Sequence, residues 1–133
     1  MKTFLGIGAG PIQTGIFVSG ASAAGFDRIV LADVDKEMVA AISKSGAITV
    51  NTAGKDGIKT DTYSNVEIYD PSVESDLKKL IDIASEADVL ATALPSTDFY
   101  RYLNWVSEAF TLDPEHRRYF YAAENSTTAA EEL

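Results

Sequence analysis

The sequence has no cysteine and a single histidine. The lack of cysteine excludes a disulfide framework, a thiolate nucleophile and any cysteine-ligated metal, and nothing points to an oxidising compartment. One histidine makes a histidine-rich metal site equally hard to build. No apolar run approaches the roughly 18 residues needed to cross a bilayer, and the apolar start breaks into glycines too soon for a secretory signal. These absences predict a cytoplasmic protein without a metal site or a membrane partner.

Positive charge is scarce: 11 lysine and arginine residues stand against 20 aspartate and glutamate residues, and the net charge is -9. Such a chain repels phosphodiester backbones unless a local basic cluster intervenes. The basic pairs Lys78-Lys79 and Arg117-Arg118 are too small for that, so we predict no nucleic-acid partner. A length of 133 residues, 46% of them hydrophobic, is that of a single globular domain spanning 1–133.

Apolar runs of strand length alternate with longer segments of helical period, which is typical of βαβ units on a parallel sheet. We therefore predict an α/β fold: a Rossmann-like, doubly wound, mainly parallel sheet of about five to six strands with helices on both faces. The predicted strands are Thr3–Ile7, Arg28–Ala32, Ala47–Asn51, Val66–Tyr69, Val89–Leu94 and Arg118–Ala123. The predicted helices are Ile12–Ala24, Lys36–Ser45, Ser75–Ser85, Thr97–Phe110 and a last one that opens at Asn125.

Three details of this assignment depend on side-chain pattern. The first helix is expected to turn Ile12, Ile16 and Phe17 inward at helical spacing. The polar segment 52–65 is expected to form a hairpin or a loop excursion. The helix capped by Ser96 or Thr97 is expected to bury an aromatic-rich stripe, namely Phe99, Tyr102, Leu103, Val106 and Phe110.

The motif Gly8-Ala9-Gly10-Pro11-Ile12-Gln13-Thr14-Gly15 stands where the first strand ends and the first helix begins. The first glycine permits a tight turn, and the second lets the backbone approach a pyrophosphate. The helix N-terminus offers free N–H donors and the positive end of its dipole. The sequence therefore predicts a phosphate-binding loop, and the alternative is a glycine-rich turn that binds nothing.

Gln13 stands where the common G-x-G-x-x-G fingerprint has its third glycine. We expect its side-chain amide to donate to a phosphate oxygen, and the close contact between helix and strand to pass to Gly15. Pro11 removes one N–H donor, but its ring presets the helical φ of the first turn.

Asp33 ends the second strand, 23 positions after Gly10. A spacing of about 20 is typical of the acid that accepts a hydrogen bond from a ribose hydroxyl. A carboxylate there repels a 2′-phosphate, so NAD is favoured over NADP as cofactor. A Lys36 side chain turned towards the ribose would soften that preference. Asp35 is the rival acid, with an alternative role as the N-cap of the second helix.

In a doubly wound sheet, ligands lie across the carboxyl ends of the strands. The segment Thr92-Ala93-Leu94-Pro95-Ser96, at the end of the predicted strand Val89–Leu94, is therefore expected to flank the adenosine and its ribose. Glu124 and Asn125 are expected to approach the nicotinamide end. For these two the alternatives are a solvated acid and a helix cap. His116 precedes the predicted strand Arg118–Ala123 and falls at the opposite edge of the sheet, where a surface role is expected. No catalytic or metal-binding residue is predicted, and the predicted cofactor-binding residues are Gly8, Gly10, Pro11, Ile12, Gln13, Asp33, Val34, Ala93, Leu94 and Asn125.

Several short blocks occur in an order that is familiar from one enzyme family. They are Phe4-Leu5-Gly6-Ile7-Gly8-Ala9-Gly10, Leu31-Ala32-Asp33-Val34-Asp35, Ser45-Gly46-Ala47-Ile48-Thr49-Val50, Ala87-Asp88-Val89-Leu90-Ala91-Thr92-Ala93 and Ala123-Glu124-Asn125. Together they resemble the N-terminal, NAD-binding part of the polyol long-chain dehydrogenases, and within that family the mannitol-1-phosphate dehydrogenases. The family has glycine-rich sequence where this chain has Pro11, Gln13 and Thr14.

The resemblance implies the NAD(H)-binding domain of an oxidoreductase that acts on a sugar alcohol or its phosphate. The family carries its catalytic lysine, with a supporting asparagine and histidine, in a following helical domain that this sequence does not contain. The chain is therefore expected to bind cofactor but to be inactive alone, with a C-terminal catalytic domain or a partner subunit supplying the rest. The alternative is a stand-alone nucleotide-sensing regulatory module, which would be expected to form a homodimer.

Overall fold

The structure is a computed structural model, and it describes residues 1–133. Seven strands are present: β1 Thr3–Ile7, β2 Arg28–Ala32, β3 Ala47–Gly54, β4 Gly57–Ser64, β5 Val66–Tyr69, β6 Val89–Thr92 and β7 Tyr119–Ala122. A π-helical stretch, Gln13–Val18, runs directly into the α-helical turn Ser19–Ala23, and the two together are called α1. The other helices are α2 Lys36–Ser45, α3 Glu74–Glu86, a 3-10 helix Thr97–Tyr102, α4 Asn104–Leu112 and α5 Ala129–Glu132.

Five strands form one parallel sheet in the order β5-β2-β1-β6-β7. The chain leaves β1 towards β2 on one side and later returns to pair β6 on the other side. The order therefore reverses between β1 and β6, which is the place where open α/β sheets form a crevice at the carboxyl ends of their strands. The predicted α/β, Rossmann-like fold class is confirmed.

Both faces of the sheet are buried, because the central strands are apolar at successive positions. Leu5 and Phe4 are 0% and 2% exposed and belong to two different core clusters. Leu5 packs in a cluster with α3 and α4, including Leu80 and Val106, and Phe4 in a cluster with α1 that includes Val18. Burying each such side chain stabilises the fold by roughly 1.5–3 kcal/mol.

The segment between α2 and β5 forms a separate antiparallel hairpin of β3 and β4. The predicted hairpin in the polar segment is thus present, but the predicted strand Ala47–Asn51 pairs with β4 and not with the main sheet. Only Ile48 of this strand is buried, so the hairpin offers too little apolar surface to become a sheet member. A hydrogen bond of 3.0 Å between Tyr63 Oη and Ser19 Oγ links it to α1.

The predicted inward face of α1 is confirmed at Phe17, which packs against the core cluster of Phe4, but it is wrong at Ile12 and Ile16. Ile12 and Ile16 are 51% and 60% exposed, whereas Gln13 and Val18 are fully buried. The cause is the π-helical stretch, whose hydrogen bonds join residues five apart and so bring positions 13 and 18 to the same side.

The aromatic helix is also different from the expectation. Ser96 does cap it, accepting from the Asp98 N–H at 2.9 Å, but the first part is a 3-10 helix and α4 begins only at Asn104. This break rotates Phe99 and Tyr102 outward, where they are 42% and 63% exposed. The rest of the predicted stripe does face the core: Val106 is buried, and Leu103 and Phe110 pack against the same cluster, which also contains Trp105 and Ala109.

The last helix, α5, begins at Ala129 after Thr128, so the prediction that it opens at Asn125 is wrong. None of the helices combines the length and the apolar character needed to span a bilayer. No three side chains of the types that ligate metals come together.

Candidate functional site

Two adjoining cavities form one groove across the carboxyl ends of β1, β2, β5, β6 and β7. The first, of about 420 Å³, is called the loop lobe and is lined by Gly8, Ala9, Gly10, Pro11, Ile12, Asp33, Val34, Asp35, Met38, Ala93, Leu94, Pro95, Phe99 and Ala123. The second, of about 480 Å³, is called the aromatic lobe and is lined by Ile7, Gly8, Ala32, Asp33, Val34, Pro71, Ser72, Leu77, Leu94, Phe99, Tyr102, Leu103 and Trp105. The groove lies at the switch point of the sheet, where this fold class binds ligands.

Gly8 makes the turn that leaves β1. Its φ of +88° lies in the left-handed region, and a Cβ built on it would stand 2.6 Å from the Ala93 carbonyl oxygen. Its N–H donates to the Ala32 carbonyl at 2.8 Å, so the turn is bonded to β2 as well. Only glycine satisfies the conformation and the contact together.

Gly8→Ala is expected to lower the free energy of unfolding by about 3 kcal/mol. Left-handed backbone costs an alanine roughly 1–2 kcal/mol, and moving the Ala93 carbonyl out of the way adds to it. Urea unfolding followed by circular dichroism measures the change. A loss below about 1 kcal/mol would show that the turn relaxes without cost.

Gly10 is the opposite case, because a Cβ built there meets no atom within 4 Å and φ is not positive. Gly10 is one of the residues that line the loop lobe. The first helical backbone bond runs from the Thr14 N–H to the Gly10 carbonyl at 3.1 Å. The amides of Ile12 and Gln13 precede it in the first turn, where helix geometry provides no acceptor.

Asp33, the predicted acceptor for a ribose hydroxyl, is bonded to the loop that follows β1. Its Oδ2 accepts from the Ala9 N–H at 2.8 Å, and its Oδ1 accepts from the Asp35 N–H at 2.9 Å. The side chain is half-buried and lines both lobes. A carboxylate offers about four acceptor positions, so two remain for a further donor in the groove.

Gln13 does not take part in the groove, and the prediction that its amide donates to a phosphate is wrong. The side chain is fully buried, and its Nε2 donates to the Ala91 carbonyl at 2.9 Å and to the Ile7 carbonyl at 3.2 Å. It crosslinks α1 to β1 and β6. The close contact of helix and strand is made at Gly6, where a Cβ would stand 2.6 Å from Gln13 Cδ, and not at Gly15 as predicted.

The aromatic lobe is the part of the groove that sequence reasoning missed. Phe99, Tyr102 and Trp105 come from the 3-10 helix and the start of α4, and Leu77 comes from α3. These aromatic residues are spaced three apart, which is typical of one face of a 3-10 helix. This spacing is the feature of the sequence that could have predicted the aromatic lobe. Pro71 and Ser72 could have been found because they directly follow β5.

Glu124 accepts hydrogen bonds from three residues, and one of them, Leu94, lines both lobes. Glu124 is 7% exposed, and its Oε1 accepts from Thr92 Oγ1 at 2.6 Å and from the Tyr100 hydroxyl. Its Oε2 accepts from the Leu94 N–H at 2.7 Å. We call Thr92, Leu94, Tyr100 and Glu124 the Glu124 cluster. It ties the ends of β6 and β7 to the 3-10 helix. Glu124 is therefore not the solvated acid of the alternative, and its side chain lines neither lobe.

Burial of the Tyr100 hydroxyl and its bond to the Glu124 carboxylate raise the pKa of Tyr100 to about 12. Because the folded state favours the protonated phenol, this bond stabilises the fold fully below the ordinary pKa of about 10 and is lost as pH rises towards 12.

Tyr100→Phe is therefore expected to destabilise the protein at pH 8 and to matter progressively less between pH 10 and 12. Denaturant unfolding across this pH range, with the exposed Tyr102→Phe as control, measures the difference. A destabilisation that stays constant up to pH 12 would contradict the assigned bond.

The remaining predicted residues divide clearly. Gly8, Gly10, Pro11, Ile12, Asp33, Val34, Ala93 and Leu94 all line the loop lobe. Asn125 is exposed and lines neither lobe, so the structure does not bring it together with the other predicted residues. His116 lies at the amino edge of the sheet, with Nε2 3.3 Å from Asp88 Oδ1, which agrees with the expected remoteness from the groove.

The chain was compared with known proteins. No protein-family model matches it, and no curated protein matches its sequence.

Proposed function

We propose that the chain binds NAD(H) in this groove, as the cofactor domain of an oxidoreductase. The observation that carries the proposal is the position of Gly10. It presents an open backbone surface at the first turn of α1, inside a cavity that also contains the Asp33 carboxylate. A pyrophosphate needs that combination of close backbone approach and helix N-terminal amides, and a ribose needs the acceptor.

The two lobes differ in chemistry in a way that suits the two kinds of group in a dinucleotide. The aromatic lobe offers Phe99, Tyr102 and Trp105 with aliphatic neighbours, which suits a flat base. The loop lobe offers backbone and small side chains, which suits phosphates. Asp33 lines both lobes and so stands where a ribose would join base to pyrophosphate.

Bound NAD would supply a nicotinamide ring that accepts or donates a hydride. The resemblance to polyol long-chain dehydrogenases, including those for mannitol 1-phosphate, supports a sugar alcohol or its phosphate as the substrate class. We assign no catalytic residue in this chain. The groups that orient the substrate and move its proton would then come from a further domain or from a partner subunit.

Calorimetric titration with NAD, NADH and NADP tests the proposal. We expect saturable binding of NAD or NADH with a Kd below about 1 mM. Asp33→Ala is expected to weaken it at least about tenfold, because a charged acceptor for the ribose is lost. Asp61→Ala, on the exposed hairpin, is the control and should bind like the unaltered protein. Absence of binding by all three dinucleotides would refute the proposal.

A further inference from the structure

The Lys36 side chain does not reach into the groove but forms an ion pair next to it. Its Nζ lies 3.0 Å from Asp70 Oδ2. Asp70 follows β5, is 3% exposed, and also accepts from the N–H and the hydroxyl of Ser72 at 2.8 and 2.6 Å. The buried carboxylate therefore has three donors, and one of them is the ammonium group of Lys36, whose side chain is otherwise 75% exposed.

The location of this pair relates it to the nucleotide site. Lys36 is the first residue of α2 and stands three positions after Asp33. Pro71 and Ser72, directly after Asp70, line the aromatic lobe, and Asp35 lines the loop lobe. Asp33 and Asp35 thus line the groove itself, whereas Asp70 lies directly before two of its lining residues and carries the Lys36 ammonium group.

Selection between NAD and NADP depends on the charge at that position. A basic side chain near the end of the second strand accommodates the 2′-phosphate of NADP, whereas an acid repels it. Here the basic side chain is present in the sequence, but a buried carboxylate has already neutralised it. The carboxylates at the groove therefore repel an incoming 2′-phosphate, and no unpaired ammonium group is present beside them to offset this repulsion.

We propose that Asp70 is a specificity-determining residue: by holding Lys36 it denies the 2′-phosphate of NADP a cation and restricts the groove to NAD(H). The inference rests on the proposed function, because it concerns the same groove. Selectivity for NAD over NADP then has two contributions: the Asp33 carboxylate repels the 2′-phosphate, and the Lys36 ammonium group is paired with Asp70 and does not attract it.

The test uses the whole chain and measures NAD and NADP binding by calorimetry. Asp33→Asn removes the first part of the selectivity. Adding Asp70→Asn is expected to strengthen NADP binding by a further factor of about ten, with little change for NAD, because one charge-assisted bond becomes available. Adding Lys36→Met to this double variant is expected to abolish the gain. Asp61→Asn, which breaks the exposed Lys59–Asp61 pair of 3.6 Å, is the matched control.

Equal NADP affinity in the Asp33→Asn and Asp33→Asn/Asp70→Asn proteins, both folded by circular dichroism, would overturn the inference. If Asp70→Asn does not fold, Lys36→Met in the Asp33→Asn background decides. A held Lys36 predicts less than about a threefold change in NADP affinity, and a loss of about tenfold would show that Lys36 already serves the phosphate. Equal binding of NAD and NADP by the unaltered protein would refute this selectivity alone, whereas absence of any binding would refute the proposed function itself.

Discussion

We expect the Gly10→Ala protein to fold with unchanged stability and to lose at least about a hundredfold in NAD affinity. A Cβ on Gly10 meets nothing within 4 Å, and its φ suits alanine, so the fold has no reason to change. Gly10 lines the loop lobe, however, and we expect the methyl group to obstruct the approach of the pyrophosphate to the backbone there. Calorimetric titration with NAD, alongside thermal unfolding, separates the two effects.

Gly20→Ala is the matched control. Gly20 also has open space around its Cβ position, but it lies on the exposed side of α1, away from both lobes. Alanine there should stabilise the helix by about 0.5–1 kcal/mol and leave binding unchanged. If Gly10→Ala binds NAD as tightly as Gly20→Ala does, the pyrophosphate does not lie at Gly10 and the proposed mode of binding is wrong.

Glu124→Ala is expected to lower the free energy of unfolding by about 3–5 kcal/mol, and the melting temperature by at least about 10 °C. The substitution leaves the Thr92 hydroxyl, the Tyr100 hydroxyl and the Leu94 N–H without their shared acceptor. Each buried donor without a partner costs roughly 1–3 kcal/mol. Denaturant and thermal unfolding measure the loss.

The same substitution should also weaken NAD binding in whatever fraction of the protein folds. Leu94 lines both lobes, and Phe99, next to Tyr100, does so as well. Glu132→Ala is the control, because Glu132 accepts from Ser126 and Thr128 on the exposed surface. Surface bonds of this kind contribute little, so we expect less than about 0.5 kcal/mol. A similar effect at both positions would contradict the central place of the Glu124 cluster.

Much of the sheet and part of the groove could be predicted because their signals are local. Continuous apolar runs mark strands that are buried on both faces. Asp35 caps α2 by accepting from two N–H groups at 3.1 Å, and Gly46 ends that helix at a φ of 63°. From the strand order of the fold class, the sequence also placed the loop, Asp33 and the ends of β6 at a common edge.

The errors have two physical origins, and the first is contact between residues far apart in the chain. The direction of Gln13 depends on carbonyl groups of β1 and β6, the latter 78 positions away. The burial of Glu124 depends on donors 24 to 32 positions earlier. A helical periodicity of 3.6 also fails where the helix becomes π or 3-10, as at Ile16 and Tyr102.

The sequence by itself determined the alternation of strands and helices, the glycine turn after β1 and the acid after β2. These features depend on backbone freedom, capping and apolar pattern within a few residues of each position. Only the tertiary structure decided which polar side chains face the groove: Asp33 does, Gln13 and Glu124 do not, and Lys36 is held by Asp70. The reason is that a polar side chain turns towards the partners that satisfy it, and those partners come together only when the sheet has formed.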